Sequence, residues 1–340
     1  MLSSDLSAGT LTPALRSELR SALGDAVRFD VPLSRISRWR IGGPASAIVD
    51  PGSADDVARA LRVLRDSSLP VRVIGDTSNI LFDSAGFGGV LLRIGRRMSK
   101  FTIDGTRMWS EAGASVPELS RAAGAASLSG IEHTIGIPGT LGGLVLMNGG
   151  SQRKGIGLNV ESVTTVLPDG SFEILDRAAC GFGYRASALQ GSDAVIVETT
   201  LNLEQGDRES IKSEMRRVMM DRMGKFPSNM PNCGSTFLSD PRMYEQVGPP
   251  GRAIESAGLK GTRRGGALIS PLHANFIVNT GGATSDDVLW LISLMRTVVE
   301  QRTGYLMDCE ARFVTSDGQV RPAHEQALSR WGSVSVPDGA

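Results

Sequence analysis

Between Gly136 and Gly150 the chain reads Gly-Ile-Pro-Gly-Thr-Leu-Gly-Gly-Leu-Val-Leu-Met-Asn-Gly-Gly, with six glycines set among apolar residues. Pro138 fixes one backbone dihedral after Ile137 and Gly139 frees the next, so a turn is expected. Thr140 then stands where it can cap a short helix whose first amides point outward. Such a terminus binds a diphosphate through backbone donors and the helix dipole, without a lysine. Gly142 and Gly143 would let an extended ligand lie against the backbone, and Asn148 closes the stretch. The same glycines would also suit helix packing, but the length of the alternation favours a ligand.

Glycine is in excess throughout, 41 of 340 residues against an average of roughly 7%. It follows no period, which excludes collagen-like and low-complexity chains. Two further clusters lie at Ile41-Gly42-Gly43-Pro44 and at Gly75, inside Val73-Ile74-Gly75-Asp76-Thr77-Ser78-Asn79. The second is a strand running into a turn of small hydrogen-bonding residues. No G-x-G-x-x-G opens a helix after a strand, so a cofactor here is not held in the Rossmann manner.

The length exceeds what one core usually holds, and two or three domains are expected. Basic and acidic residues balance at 36 each, without a like-charge run. That excludes a nucleic-acid surface and a polybasic membrane anchor, and leaves an anionic ligand to a few placed cations and backbone amides. Cys180, Cys233 and Cys309 have no paired spacing. A disulfide framework and a metal site are therefore not expected, and a reducing cytosol suits the chain. The opening MLSSDLSAGT has neither a basic nor an apolar signal region, and VLWLISLM (288–295) is too short to span a bilayer. The reading is a cytoplasmic protein.

Periodicity and turn residues predict a helix over LTPALRSELRSALG closed by Gly24, a strand at 46–50, and a helix from Ser53 to about Ser67. Ser53 caps that helix, with Asp55 and Asp56 in its first turn. Strands follow at 71–75 and 90–94, making the first third a βαβ unit. Further strands are expected at 98–103, 107–112, 160–167, 172–175 and 194–203, with a helix over 116–126. A long helix over 208–223 runs into the Pro-rich linker KFPSNMPN, and a domain boundary is placed inside it. The last third predicts strands at 235–238, ALIS, NFIVN and 308–314, and helices at 252–257 and 285–301. The class is mixed α and β.

Eight segments occur in order: Trp39–Ala45, Gly75–Asn79, Gly136–Asn148, Tyr184–Ser187, Gly234–Phe237, Ala257–Gly261, His273–Asn279 and Cys309–Arg312. Together they resemble the successive signatures of the UDP-N-acetylenolpyruvoylglucosamine reductases over roughly residues 30–315. The short spacing from Tyr184 to Ser235 is similar to the compact second type of that family. The resemblance implies a two-lobed FAD-binding domain of the vanillyl-alcohol-oxidase type plus a C-terminal α+β substrate-binding domain. The lobes would span 31–100 and 101–215 and the substrate domain 216–325, between an N-terminal helical extension (1–30) and a tail (326–340).

The resemblance also implies the chemistry. NADPH gives hydride to noncovalent FAD, and an enolpyruvyl nucleotide sugar then receives hydride at its terminal enol carbon and a proton at the adjacent carbon. Arg185 matches the family's cation beside the substrate carboxylate, a role that lowers the barrier as negative charge develops. Glu310 matches a carboxyl group that, kept protonated by burial, donates a hydrogen bond to the developing enediolate. Ser235 matches the proton donor, a weak acid that suffices because the intermediate is strongly basic. The cofactor would meet Gly42, Gly43, Gly75–Asn79, Ile137–Thr140, Gly142, Gly143 and Asn148. Substrate would meet Tyr184, Arg222, Lys225, His273 and Asn279, although His273 also reads as a structural hydrogen-bonder. A monomer or weak dimer is expected.

Several positions depart from the family pattern. Thr77 replaces a glycine, and its side chain either tolerates the turn or crowds the diphosphate. Phe237-Leu238-Ser239-Asp240-Pro241 lacks the usual lysine, Leu272-His273 replaces Lys-His, and Asn148-Gly149-Gly150-Ser151 is followed by Gln152-Arg153-Lys154. These changes leave open a cell-wall reductase with moved phosphate contacts, a paralogue acting on a related unsaturated or nucleotide-linked substrate, and a non-catalytic flavin-binding sensor.

Overall fold

In a computed structural model, which describes residues 11–334, the chain forms two units. The first comprises residues 11–29, 47–76 and 89–223; the second comprises 30–46, 77–88 and 224–334. The opening decapeptide, read above for a signal segment, lies outside the described residues, as do residues 335–340.

Local signals account for the helices of the first unit. Thr12 caps the helix Pro13–Leu23 by accepting the Leu15 amide at 3.2 Å, and Gly24 ends it. Ser53 caps Ala54–Leu64 by accepting the Asp56 amide at 3.2 Å, with Val57, Ala58, Leu61 and Leu64 turned into the core. A four-stranded sheet has the order Val27–Pro32, Pro44–Val49, Phe87–Arg93, Val71–Ile74, the last two parallel with Val71 opposite Val90. A five-stranded antiparallel sheet has the order Phe172–Asp176, Val160–Val166, Val195–Asn202, Arg107–Glu111, Phe101–Asp104. One continuous core joins these elements, and the short helix Leu141–Leu146 buries Leu141, Leu144 and Val145 in it.

The second unit is built around the helix Ser285–Thr303, opened by a Thr284/Asp287 capping box and closed by left-handed Gly304. The helix Ala323–Trp331 packs against it. One small sheet pairs Arg263–Arg264, Ala267–Ile269 and Ile277–Asn279. Another has the order Val320–Pro322, Arg312–Val314, Ile80–Phe82, with Arg312 in parallel register with Ile80. The Trp39 indole is fully buried and donates to the Ile277 carbonyl at 2.8 Å. Segments 30–46 and 77–88 thus fold with the C-terminal residues, so the lobe expected over 31–100 is divided between the units. The chain enters the second unit for good after Met223, past the end of the helix Arg208–Arg222 rather than inside it.

Three expectations need correction. Residues 235–238 form no strand beyond a single Phe237–Cys309 bridge, and the strand expected over 308–314 contracts to Arg312–Val314. The reason is a side chain: Asn275 accepts the Phe237 amide and donates to the Phe237 carbonyl, both at 2.9 Å, taking bonds a ladder would otherwise make. The tail expected from 326 begins inside the helix Ala323–Trp331. Among the described residues no helix is long and apolar enough to cross a membrane.

Candidate active site

In the first unit Thr140 caps the Leu141–Leu146 helix as expected, accepting the Gly143 amide at 3.4 Å after Gly139 at φ 143°. The outward-pointing amides are a correction. Leu141 donates to the Ala114 carbonyl at 2.9 Å and Gly142 to the Ala112 carbonyl at 2.8 Å, so the helix terminus is spent on its own scaffold. The Gly139 and Thr140 amides just ahead of it make no hydrogen bond among the described residues and remain available as donors.

Packing also claims most of the glycines. A Cβ on Gly142 would stand 2.9 Å from the Ala112 Cβ, and one on Gly75 would stand 2.4 Å from Thr140 Oγ1. On Gly42 it would meet Leu33 at 2.7 Å, and on Gly43 the Ser84 carbonyl at 2.5 Å. Gly143 differs: it is exposed and meets only Thr140 Oγ1, at 3.5 Å. A ligand can approach the backbone there, beside exposed Pro138 and half-buried Ile137.

The end of this segment builds the arginine turn. Asn148, at φ 40°, donates through Nδ2 to the Gly183 carbonyl at 2.6 Å and accepts the Gly157 amide at 2.9 Å. Gly183 and Ala186 exchange backbone hydrogen bonds at 2.9 and 3.2 Å, with exposed Tyr184 and left-handed Arg185 (φ 53°) between them. The Ser187 hydroxyl and the Gln190 amide both donate to the Leu146 carbonyl, at 2.6 and 3.0 Å. Asn148 therefore holds the Tyr184–Arg185 turn on the helix end, and its amide is committed within the protein. Arg222 packs along Gly136, where a Cβ would come within 2.4 Å of its Cδ, and burial lowers its pKa. Asp76, at the end of this unit's segment, is exposed.

In the second unit the Thr77 question is answered by direction. Thr77 adopts φ 53° with its side chain buried, accepting the Arg38 amide at 3.0 Å and donating to the Ile36 carbonyl at 3.4 Å. The Ser78 and Asn79 amides make no hydrogen bond among the described residues, which fits them to an anionic group. The Asn79 side chain donates to the Glu310 carbonyl at 3.0 Å.

Ser235 is half-buried after Gly234, whose φ of 89° suits glycine. The Gly234 amide donates to Asn232 Oδ1 at 2.9 Å, while Asn232 Nδ2 donates to the Pro227 and Met230 carbonyls at 3.0 and 2.7 Å. The Thr236 amide donates to the Asn275 carbonyl at 2.8 Å, and the Thr236 carbonyl accepts the Glu310 amide at 2.9 Å. Ser235 and Glu310 are thereby set around one residue. Asn232 and Asn275 organise this arrangement; for Asn232 the glycine two residues on was a sequence signal, whereas nothing local marks Asn275 for its part.

Lys225 is exposed. His273 stacks on Phe226 at 5.3 Å between ring centroids, meets Phe276 edge-on at 5.0 Å, and accepts the Asn275 amide through Nδ1 at 3.2 Å. Burial lowers its pKa, in keeping with a structural hydrogen-bonder. Asn279 is corrected as a substrate contact: it is 7% exposed, donates to the Trp39 carbonyl at 2.9 Å and accepts the Gly281 and Ala283 amides at 2.8 and 3.2 Å. No metal-binding group of His, Cys, Asp and Glu occurs among the described residues.

Within the first unit, the Gly139 and Thr140 amides and the open backbone at Gly143 suit part of a flavin dinucleotide; within the second unit, the Ser78 and Asn79 amides offer donors of the same kind. Comparison with known proteins agrees. Residues 45–176 match the FAD binding domain family, and residues 226–314 match the UDP-N-acetylenolpyruvoylglucosamine reductase C-terminal domain. UDP-N-acetylenolpyruvoylglucosamine reductase 1 of Corynebacterium glutamicum is 48% identical over 326 residues, covering 96% of this chain and 97% of the relative. The Desulforamulus reducens reductase of the same name is 34% identical over 304 residues, 89% of this chain and 99% of the relative. The crystal structure of the Thermus caldophilus reductase superposes with a TM-score of 0.72 at 31% identity, covering 84% of this chain and 99% of that one.

Proposed function

The chain belongs to the UDP-N-acetylenolpyruvoylglucosamine reductase family, and on that premise we propose that it converts UDP-N-acetylglucosamine enolpyruvate to UDP-N-acetylmuramate, using NADPH and noncovalent FAD. When bound, FAD supplies a two-electron carrier between the nicotinamide and the enol carbon. The observation that carries the reading is the arrangement around Thr236: Ser235 precedes it, its carbonyl takes the Glu310 amide, and Asn79 takes the Glu310 carbonyl.

The chain's own residues then have distinct tasks. The Arg185 guanidinium stabilises the substrate carboxylate as charge spreads onto it. The Glu310 carboxyl group donates a hydrogen bond to the enediolate, and Ser235 Oγ gives its proton to the carbon next to the ether oxygen. Hydride and proton together convert the enolpyruvyl ether to a lactyl ether, and Ser235 regains a proton from solvent. Tyr184, Arg222 and Lys225 serve the nucleotide phosphates, taking the part of the lysines that Leu238 and Leu272 replace. A nucleotide-sugar route in the cytosol suits three buried, free thiols; a monomer or weak dimer completes the reading.

The test is anaerobic: the yellow protein is reduced with NADPH, the enolpyruvyl nucleotide sugar is added, and flavin absorbance is followed. Rapid reoxidation supports the proposal. Flavin that reduces and then stays reduced would rule out this substrate, and exposed Leu272 (58%) would direct the search to one with a different phosphate arrangement.

A further inference from the structure

The helix Ala323–Trp331 lies beyond residue 314, where the match to the family's C-terminal domain ends. Arg330 pairs with Asp286 and with Asp83, the latter at 3.3 Å, and Ser293 donates to the Gly332 carbonyl, so the helix is pinned at its C-terminal end. At its other end His324 turns inward, its side chain 12% exposed. Its Nδ1 accepts the backbone amide of Cys309 at 2.9 Å, and its Nε2 lies 3.3 Å from Asp308 Oδ1. A nitrogen that accepts from an amide carries no proton, so the ring is neutral and its proton sits on Nε2, the nitrogen beside Asp308.

Cys309 immediately precedes Glu310, and this stretch is not part of a ladder, since the regular strand starts only at Arg312. Arg296 Nε takes the Met307 carbonyl at 2.8 Å, Thr236 takes the Glu310 amide, and Asn79 takes the Glu310 carbonyl. The amide between these points, that of Cys309, is satisfied by an imidazole.

We propose that His324 is a positioning residue for Glu310, holding the peptide ahead of it through a neutral Nδ1 acceptor supplied by the C-terminal helix. The proposal rests on the reading that the Glu310 carboxyl group serves the reduction. Removing the acceptor leaves a buried amide unpaired and lets the Glu310 peptide turn away, a displacement worth on the order of tenfold to a hundredfold in rate. Protonation has the same effect, because a proton on Nδ1 would face the Cys309 N–H. Burial disfavours that proton, Arg296 and Arg312 add to the effect, and Asp308 and Glu325 oppose it, leaving the pKa lowered. The contact therefore survives to pH values below the usual histidine range and is lost under more acidic conditions.

The experiment measures both half-reactions in the FAD-loaded full chain: flavin reduction by NADPH, and reoxidation by the enolpyruvyl nucleotide sugar. His324→Asn keeps an oxygen where Nδ1 stood, whereas His324→Leu has no acceptor and His324→Gln reaches only the Nε2 position. Expected are near-native flavin reduction in all three, reoxidation slowed about tenfold or more in the Leu and Gln variants, and recovery in the Asn variant. The acid limb of wild-type reoxidation should also flatten in His324→Asn. Should His324→Leu not fold, Gln against Asn makes the same contrast. Native reoxidation in the Gln variant, or equal loss in Asn and Gln, would overturn the proposal. Glu310→Gln separates it from its premise: native reoxidation there removes Glu310 from the reaction, whereas a loss there beside native rates in His324→Gln defeats the positioning role alone.

Discussion

The side-chain amide of Asn79 donates to the carbonyl oxygen of Glu310 at 3.0 Å, joining residues 231 positions apart in the chain. The Asn79 carbonyl in turn accepts the Arg312 amide at 2.9 Å. The turn after Gly75 is therefore also a brace for the segment that carries the acidic group. Asn79→Ala should cost about 1 kcal/mol of stability and slow flavin reoxidation by substrate more than flavin reduction by NADPH. Asn79→Asp should be worse, since a carboxylate would face the Glu310 carbonyl. Unchanged reoxidation in both variants would show that the brace does not matter to Glu310.

Ser235→Ala removes a hydroxyl while leaving Gly234 and Thr236 to hold the backbone through Asn232 and Asn275. Flavin reduction by NADPH should stay within a factor of about two, while reoxidation by substrate should fall by about 10² or more. Equal losses in the two halves would refute the proton-donor assignment.

Thr77 keeps a left-handed backbone because its hydroxyl bonds Arg38 and Ile36. Thr77→Val retains the unfavourable branched side chain and leaves the Arg38 amide without its acceptor, a cost of about 1–3 kcal/mol. Thr77→Gly loses the same bonds but relieves the backbone by about 1 kcal/mol, so it should lie between wild type and Val in urea unfolding. A Val variant as stable as wild type would mean the hydroxyl contributes nothing.

Asn148→Gly separates conformation from hydrogen bonding, because glycine accepts φ 40° without the side chain. The Gly183 carbonyl and Gly157 amide lose their partner. Amide exchange over residues 183–190 should quicken, and the apparent affinity for substrate should weaken as the Arg185 turn loosens. Native exchange rates in that segment would contradict the part given to Asn148.

Burial lowers the pKa of His133, and Lys154 acts in the same direction; His273 and His324 are lowered as well, burial first. Each unfolded imidazole takes up its proton near pH 6.5, before the folded one does. The unfolded state then binds more protons, so stability falls as pH drops below about 6.5, by at most about 1.4 kcal/mol per pH unit for each histidine. His133 is 3% exposed and its Nε2 has no hydrogen-bond partner among the described residues. His133→Leu should therefore flatten the acid side of the stability profile, read from urea midpoints between pH 7 and 5. An unchanged slope would exclude His133 as a contributor.

The sequence by itself determined the local elements and the order of the signatures. Caps at Ser53 and Thr140 and the helix over 285–301 could be read directly, because torsional preference and periodicity act over a few residues. Tertiary structure decided what the shared residue types do. Gly142 and Gly143 are adjacent and identical, yet one is required by Ala112 while a Cβ on the other would make only an ordinary contact with Thr140 Oγ1. Asn79, Asn148 and Asn279 all read as ligand contacts, but each spends its amide on a distant backbone carbonyl. The strand expected at 235–238 gave way to Asn275 for the same reason. A hydrogen-bond partner tens or hundreds of residues away leaves no period and no spacing in the chain, and only the folded distance reveals it.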